Sequence, residues 1–277
     1  MLERFTQTLR IGVAADSLAL IQASSGLTRR PALRLLGETR FDPAEGSAGL
    51  GNGLRRLLAD GSPSTLAAGR TATIVLADDW ARLWQVAPPG SASRMADLEA
   101  AAALRFQSLF GAPAAGWRIS ADWDADRAFL AAALPAPLLA GLQQFAIEER
   151  VHLVGIVPQF VAALNGWRKL RRAGAWFGVV HGMVHGAVLT LAVFDKGAFI
   201  AVRTALVPPG ADGAWFAAHI AREALLTGAD APGLVQVCGA APRAWAAPSC
   251  MLLGGEPGSE WAEWSDAARL AASGSGI

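Results

Sequence analysis

The stretch RIGVAADSLALIQ, residues 10–22, decides the fold class because it combines two strand patterns with a very short connection. Turns this tight between two strands wrap a phosphate in many α/β proteins, where a glycine lets the backbone amides approach it closely. Here the turn has no glycine, and no carboxylate stands where a metal-bound phosphate needs one. The stretch is therefore consistent with a nucleotide site or with the remains of one.

The chain around this hairpin repeats one order of elements. Strand patterns over 9–15, 17–23 and 32–40 form a meander, which a helical pattern and a further strand follow. The same order of three strands, a helix and a strand begins again at residue 175. Repetition of architecture without repetition of residues indicates two related lobes.

An insert interrupts the first copy. A strand pattern over 80–88, a helical pattern over 92–110 and a strand pair after it have no counterpart in the second copy. The sequence therefore predicts an α/β protein with a first lobe over residues 1–172, including an insert subdomain at about 71–134, and a second lobe over 173–277.

Charge and apolar patterning exclude several classes of protein. The net charge is +1 with both signs spread along the chain, so no basic footprint for nucleic acid is present. No secretory signal and no apolar run of about 20 residues occur, which predicts a cytoplasmic protein without direct membrane insertion. The two cysteines, Cys238 and Cys250, are not spaced as metal ligands and are expected to be free thiols.

Neither a metal site nor a hydrolase site is predicted. His181 and His185 are four residues apart, but they fall in a strand and turn and no third ligand is near in sequence. No G-x-S-x-G elbow occurs, and the carboxylate pairs fall at turns and helix ends. No residue is assigned a catalytic role.

Four stretches carry a resemblance to a known family. They are the hairpin IGVAADSLALIQ, the insert segments ADDWARLWQVAPP and MADLEAAAALRF, the block FLAAALPAPLLAGLQQFAIEERVHLVGIVPQFVAAL and the second meander VVHGMVHGAVLTLAVFDKGAFIAVR. They resemble the actin-like ATPase superfamily, and within it the branch with FtsA, the type IV pilus protein PilM, MshI and the cytoplasmic domain of the type II secretion protein GspL. The resemblance covers about residues 9–240 and implies an actin-like (ribonuclease H-like) two-lobed fold with a small α/β insert in the first lobe.

The nucleotide site of that family is degraded here. Where active members have D-x-G in the first hairpin, the aspartate position falls on Ala14 and the glycine position on Asp16. A carboxylate about 4 Å from a phosphate repels it by roughly 4 kcal/mol at an effective dielectric near 20. In the second hairpin His181 is near the aspartate position, and the adenine-side loop is reduced to CGAAP at 238–242. The degenerate positions are Ala14, Asp16, Ser17, His181 and Gly182, and no cofactor is expected.

The resemblance implies a scaffold rather than an enzyme. The expected partner is a bitopic inner-membrane pilus or secretion protein, whose PilN-like cytoplasmic tail docks between the first lobe and its insert, with an assembly ATPase as a further partner. The protein is then peripheral at the inner membrane. Partner contact is assigned to an exposed face with alternating Trp80, Arg82 and Trp84, and to Arg105 on the helix over 92–110, because Trp and Arg are enriched in binding hot spots.

Two alternatives stay open. In one, the phosphate loops are merely divergent and the protein binds ATP with magnesium near Asp16, Ser17 and His181. In the other, the chain is a GspL-like secretion component that a membrane span normally continues, against which the end SGSGI argues. Binding of a fluorescent ATP analogue separates the first alternative from the scaffold.

Overall fold

The computed structural model describes residues 6–25, 32–61, 71–90, 94–183, 186–254 and 264–275. The chain divides into two compact units. The first unit consists of Met1–Trp80, Pro137–Lys169 and Gly254–Ile277. The second consists of Ala81–Ala136 and Leu170–Leu253.

The described residues form thirteen strands and six α-helices. The strands are β1 (Thr6–Val13), β2 (Ser17–Ser25), β3 (Ala32–Arg40), β4 (Thr71–Leu76), β5 (Arg82–Val86), β6 (Trp117–Ala121), β7 (Phe129–Pro135), β8 (His152–Pro158), β9 (Trp176–Met183), β10 (Gly186–Asp195), β11 (Ala198–Val207), β12 (Val235–Gly239) and β13 (Cys250–Leu253). The helices are α1 (Gly46–Gly61), α2 (Met95–Phe110), α3 (Ala136–Glu148), α4 (Gln159–Gly166), α5 (Gly213–Thr227) and α6 (Asp266–Ala272).

Two five-stranded sheets share one topology. The first has the order β3-β2-β1-β4-β8 and the second the order β11-β10-β9-β12-β13. In each sheet the first three strands are an antiparallel meander, and the remaining two run parallel to the first strand. The predicted repeat of three strands, a helix and a strand is confirmed at the level of architecture.

Apolar patterning explains why these segments pack as they do. In α1, the side chains of Leu50, Leu54, Leu57 and Leu58 are buried, because residues spaced by three or four share one helix face. In the second unit, one apolar cluster joins strands β9, β10 and β12 to helix α5. Each sheet therefore has its own hydrophobic core.

The insert begins later in the chain than the sequence analysis expected. Strand β4 does not belong to it, because β4 pairs with β1 on one side and β8 on the other in the first sheet. The separate three-stranded sheet has the order β5-β7-β6 and is antiparallel throughout. Its α/β body therefore starts at Arg82 rather than at residue 71, and α2 covers its apolar face.

The last helix also lies elsewhere than expected. The sequence analysis placed residues 173–277 in the second lobe, but α6 packs on β1 and β2 of the first sheet. The reason is a close backbone approach: a Cβ at Gly12 would lie 1.9 Å from the carbonyl oxygen of Ala267. Only glycine in β1 and an alanine face on α6 allow this distance.

Polar contacts hold both ends of α6. The guanidinium of Arg10 in β1 donates to the carbonyls of Ala271 and Ser273, at the helix C-terminus, where a cation also complements the helix dipole. At the other end, the hydroxyl of Ser265 accepts the amide of Ala268 and donates to Glu38 in β3. The helix is thus tied to two strands of the first sheet.

Candidate functional site

The turn between β1 and β2 is closed by local hydrogen bonds. The amide of Ala14 donates to the carbonyl of Ser17 at 2.9 Å. The indole N–H of Trp80, which lies in a short 3-10 helix after β4, donates to the carbonyl of Ala14 at 3.3 Å. The structure therefore brings Trp80, predicted as a partner-binding residue, against Ala14, which was predicted to be a degenerate nucleotide-site position.

Asp16 and Ser17 lie half-buried on the same turn. The carboxylate of Asp16 is 3.9 Å from the guanidinium of Arg40, and these side chains are 36% and 86% exposed. An ion pair this long and this exposed contributes little to stability because water screens it. The turn therefore presents a negatively charged, solvent-accessible group.

The first strands of the two sheets, β1 and β9, have an equivalent position, which the same backbone hydrogen bond marks in each. In the first sheet the carbonyl of Val13 accepts the amide of Ala77 at 2.9 Å, just beyond the parallel neighbour β4. In the second the carbonyl of Val180 accepts the amide of Ala240 at 2.8 Å, just beyond the parallel neighbour β12. The residues that follow these two carbonyls are Ala14 and His181.

Beyond this position the second hairpin differs from the first. Strand β9 continues to Met183, and His181 and Gly182 pair with Val188 and Ala187 of β10. His181 is buried at 3% exposure inside the ladder, whereas Ala14 marks the end of its strand. His185 lies outside the described residues. The second sheet thus offers an imidazole where the first offers a methyl group.

One carboxylate near the first hairpin, that of Asp78, has a structural role. Asp78 follows β4, and its Oδ1 accepts the amide of Phe160 at 3.0 Å in the first turn of α4. A carboxylate at this place satisfies one of the amides that a helix start leaves unpaired. Within the described ranges no group of three His, Cys, Asp or Glu side chains could hold a metal ion.

The loop after β12 is held by a glycine that cannot be replaced without strain. Gly239 has a φ of 86°, and a Cβ there would lie 2.1 Å from the carbonyl oxygen of Val180. Cys238 before it is buried, as is Cys250 in β13, and both are free thiols as predicted. The loop CGAAP therefore lies tightly against β9.

The predicted exposed face of Trp80, Arg82 and Trp84 does not exist. Trp80 precedes β5 in a 3-10 helix, and Trp84 is 2% exposed beneath α2, where its ring meets Phe106 at 5.3 Å. Strand alternation places Trp84 on the inner face of the insert sheet, because that is the face α2 covers. Only Arg82 of the three is exposed.

Arg82 and Arg105 remain available on the surface of the insert. The guanidinium of Arg82 lies 5.5 Å from the ring centre of Trp117 and 6.0 Å from that of Phe110, within cation–π distance. Arg105 is exposed on α2, and Leu109, one turn further, is 46% exposed. The insert therefore presents arginines beside apolar side chains.

No family model and no curated protein matches the sequence. Solved structures do match. A PilM-PilN type IV pilus biogenesis complex is similar with a TM-score of 0.52 and 19% identity, over 78% of this chain and 65% of that chain. The cytoplasmic domain of EpsL, an inner-membrane component of the Vibrio cholerae type II secretion system, is similar with a TM-score of 0.55 and 10% identity, over 96% and 93%. A Bacteroides thetaiotaomicron protein with an actin-like ATPase fold and unknown function has a TM-score of 0.56 and 10% identity, over 98% and 99%.

The chain has the actin-like fold. This confirms the predicted α/β class and the resemblance to PilM-like and GspL-like proteins at the level of fold. The chain spans less than two thirds of the matched chain in the PilM-PilN complex. The actin-like fold of this chain is thus shared with components of pilus and secretion systems. None of the helices in the described residues is long and apolar enough to cross a membrane.

A cavity in the second unit was not predicted from the sequence. It has a volume of about 630 Å³ and lies between the ends of β10 and β11 and helix α5. Its lining includes Arg203, Trp215, His219, Arg222 and Glu223. Helical spacing puts the last four on one side of α5, and none of these residues was assigned a function from the sequence.

Proposed function

We propose that this actin-like protein is a nucleotide-degenerate scaffold of a type IV pilus or type II secretion assembly platform. In this proposal it is cytoplasmic and peripheral at the inner membrane, where it binds the cytoplasmic tail of a bitopic partner. An assembly ATPase is a further expected partner. The protein has no catalytic residue and no resident cofactor in this role.

The observation that carries the proposal is the chemistry at the two equivalent strand positions. Phosphoryl transfer needs magnesium, which prefers oxygen ligands, and a dense set of donors around the phosphates. Ala14 supplies a methyl group and His181 a buried imidazole. In addition, the carbonyl of Ala14 accepts the indole N–H of Trp80, and Asp16 adds a negative charge to the same turn.

The partner is proposed from the fold and from the surface of the insert. One similar structure is a PilM-PilN complex, and another is a domain of an inner-membrane secretion component. On the insert, Arg105 lies one helical turn before the exposed Leu109, and the guanidinium of Arg82 lies over the rings of Phe110 and Trp117. Arginine next to apolar area is the composition of binding hot spots, and this surface is where we place the tail.

Equilibrium binding of a fluorescent ATP analogue with magnesium tests the nucleotide part of the proposal. We expect no saturable binding up to about 1 mM, which corresponds to roughly −4 kcal/mol. Asp16→Asn serves as the diagnostic variant, since removing the charge raises affinity only if a phosphate reaches this turn. Saturable micromolar binding by the parent chain contradicts the degenerate site and supports the alternative, an ATP-binding protein with divergent loops.

Binding of a bitopic partner's cytoplasmic tail tests the docking part. The probe is a labelled synthetic peptide with the cytoplasmic sequence of a bitopic protein encoded beside this chain. We expect Arg82→Gln and Arg105→Gln to weaken binding several-fold, as truncation of hot-spot residues does. Arg118→Gln, at an exposed position on β6, is the matched control and should bind as the parent does. Equal binding by all four proteins would exclude this surface.

A further inference from the structure

The cavity between β11 and α5 has a polar side built from charged residues. Arg203 Nε donates to Glu223 Oε2 at 2.7 Å, and the glutamate side chain is 7% exposed whereas the arginine is 45% exposed. This bond engages the Nε of Arg203, and both Arg203 and Glu223 line the cavity. The exposed side chain of Arg222 lines the same cavity one residue before Glu223.

A rigid aromatic wall forms another side. The rings of Trp215 and His219 are stacked with centres 5.2 Å apart and an interplanar angle of 1°. Trp215 is itself held in place, because its amide is capped by Asp212 and its ring stacks on Trp245. Burial lowers the pKa of His219, so this ring is neutral at pH 7. The wall is preformed, which reduces the entropy cost of binding.

Charge and apolar area together indicate the ligand. Two arginines against one buried glutamate leave a single positive charge, which a monoanionic carboxylate neutralises and a phosphate dianion exceeds. Leu206 on the lining is 74% exposed, so apolar area lies beside the charged groups, and a segment that carries both an acidic and an apolar side chain matches both. The volume also falls within the range of about 300–1,000 Å³ for sites that enclose a small ligand.

We propose that this cavity binds a short acidic segment of a partner protein, with one Asp or Glu carboxylate held by Arg222 and Arg203 and a flanking apolar side chain against Leu206 and Trp215. Arginine suits this role because its planar fork matches a carboxylate with two parallel hydrogen bonds. The site lies within the second unit and is separate from the insert surface. It does not depend on whether the first hairpin binds a nucleotide.

The experiment uses the full chain and a positional-scanning library of labelled nonapeptides. We expect Asp and Glu to be enriched at one position with apolar residues beside it. The best peptide is then titrated by fluorescence anisotropy next to its counterpart with the acid replaced by the amide. Arg222→Gln should weaken the acidic peptide about tenfold, or about 1.4 kcal/mol, and should leave the amide peptide unaffected.

Matched variants keep the test decisive. Arg243→Gln changes an exposed arginine of the same unit outside the cavity and should bind as the parent does. Arg222→Glu should shift the library preference from acidic to basic residues. The proposal is overturned by an absence of acidic preference, by equal losses in the 222 and 243 variants, or by tight binding of inorganic phosphate that Leu206→Ser leaves unchanged. Loss of self-association in Arg222→Gln would instead identify a second copy of this chain as the occupant.

Discussion

Replacement of Gly12 by alanine tests how α6 docks on the first sheet. The added Cβ lies 1.9 Å from the carbonyl oxygen of Ala267 and 2.7 Å from the amide nitrogen of Ala271. Both contacts are with helix backbone, so no side chain can rotate to relieve them. The helix must therefore move away from β1 as a body.

The expected cost follows from what this movement breaks. Overpacking in a core costs about 1–3 kcal/mol when neighbouring side chains can adjust. Here the displaced helix also loses the hydrogen bonds from Arg10 to its C-terminal carbonyls, and bonds to charged groups contribute about 1.5–3 kcal/mol each. We expect a loss of at least about 3 kcal/mol, which lowers the melting temperature by roughly 6–12 °C in a chain of this size.

Thermal unfolding followed by circular dichroism measures the effect, and limited proteolysis with intact-mass detection shows where it acts. The matched control is Gly141→Ala on the exposed side of α3, where an added Cβ meets nothing within 4 Å. That change should stabilise the protein by up to about 1 kcal/mol, because alanine favours helix over glycine. A melting temperature of Gly12→Ala within about 2 °C of the parent, or unchanged cleavage near the C-terminus, would refute the close packing of α6.

Further predictions concern buried polar groups. Arg10→Met should destabilise the chain by about 2–4 kcal/mol in denaturant titration, because the C-terminal carbonyls of α6 lose a charged donor. Arg203→Met should cost about 1–3 kcal/mol, since it removes the donor to the largely buried carboxylate of Glu223, and it should cost less when it is made in a Glu223→Gln background. Burial lowers the pKa of His219 below 6.5, so the folded state binds its proton less tightly than the unfolded chain does. Stability should thus fall as the pH drops through about 6.5, and the fall should be smaller in His219→Gln melts. Burial raises the pKa of Cys250 to about 11, so iodoacetamide at pH 8 should modify this thiol only after urea unfolding, as peptide mass spectrometry can show.

The meanders and helices were predictable because each satisfies a local rule. The stripe of leucines from Leu50 to Leu58 is readable as a helix face without knowledge of its partner. The two hairpins were readable from alternation, and in both sheets the first strand accepts the same backbone hydrogen bond just beyond its parallel neighbour, at Val13 and at Val180. Local periodicity therefore sufficed for the element order and the repeat.

The tryptophan face could not be predicted from the same kind of rule. Alternation states which residues share a side of a strand, but it does not state which side a helix covers. Trp84 is buried beneath α2. Trp80 belongs to the 3-10 helix Asp78–Trp80 and is therefore not part of strand β5. The sequence did contain one indication that Trp84 is buried. Phe106 and Phe110 are one turn apart on α2 and form the aromatic surface that the ring of Trp84 contacts.

The position of α6 depends on residues that are far apart in sequence. Gly12 permits the contact, Arg10 binds the end of the helix and Glu38 binds its start, and each is more than 200 residues from its partner. A seven-residue helix of mostly alanines has no face specific enough to identify the sheet it covers. Only the tertiary structure brings these complementary features together.

Comparison of the two hairpins distinguishes the backbone bonds that the fold requires from the side chains that catalysis would require. The bonds from Ala77 to Val13 and from Ala240 to Val180 join backbone groups, so they form whatever side chain follows. These two backbone bonds therefore do not depend on which side chains stand at the next positions, Ala14 and His181. A chain that has lost nucleotide binding can thus keep both sheets, and under our proposals the insert surface and the β11–α5 cavity are the places where its partners bind.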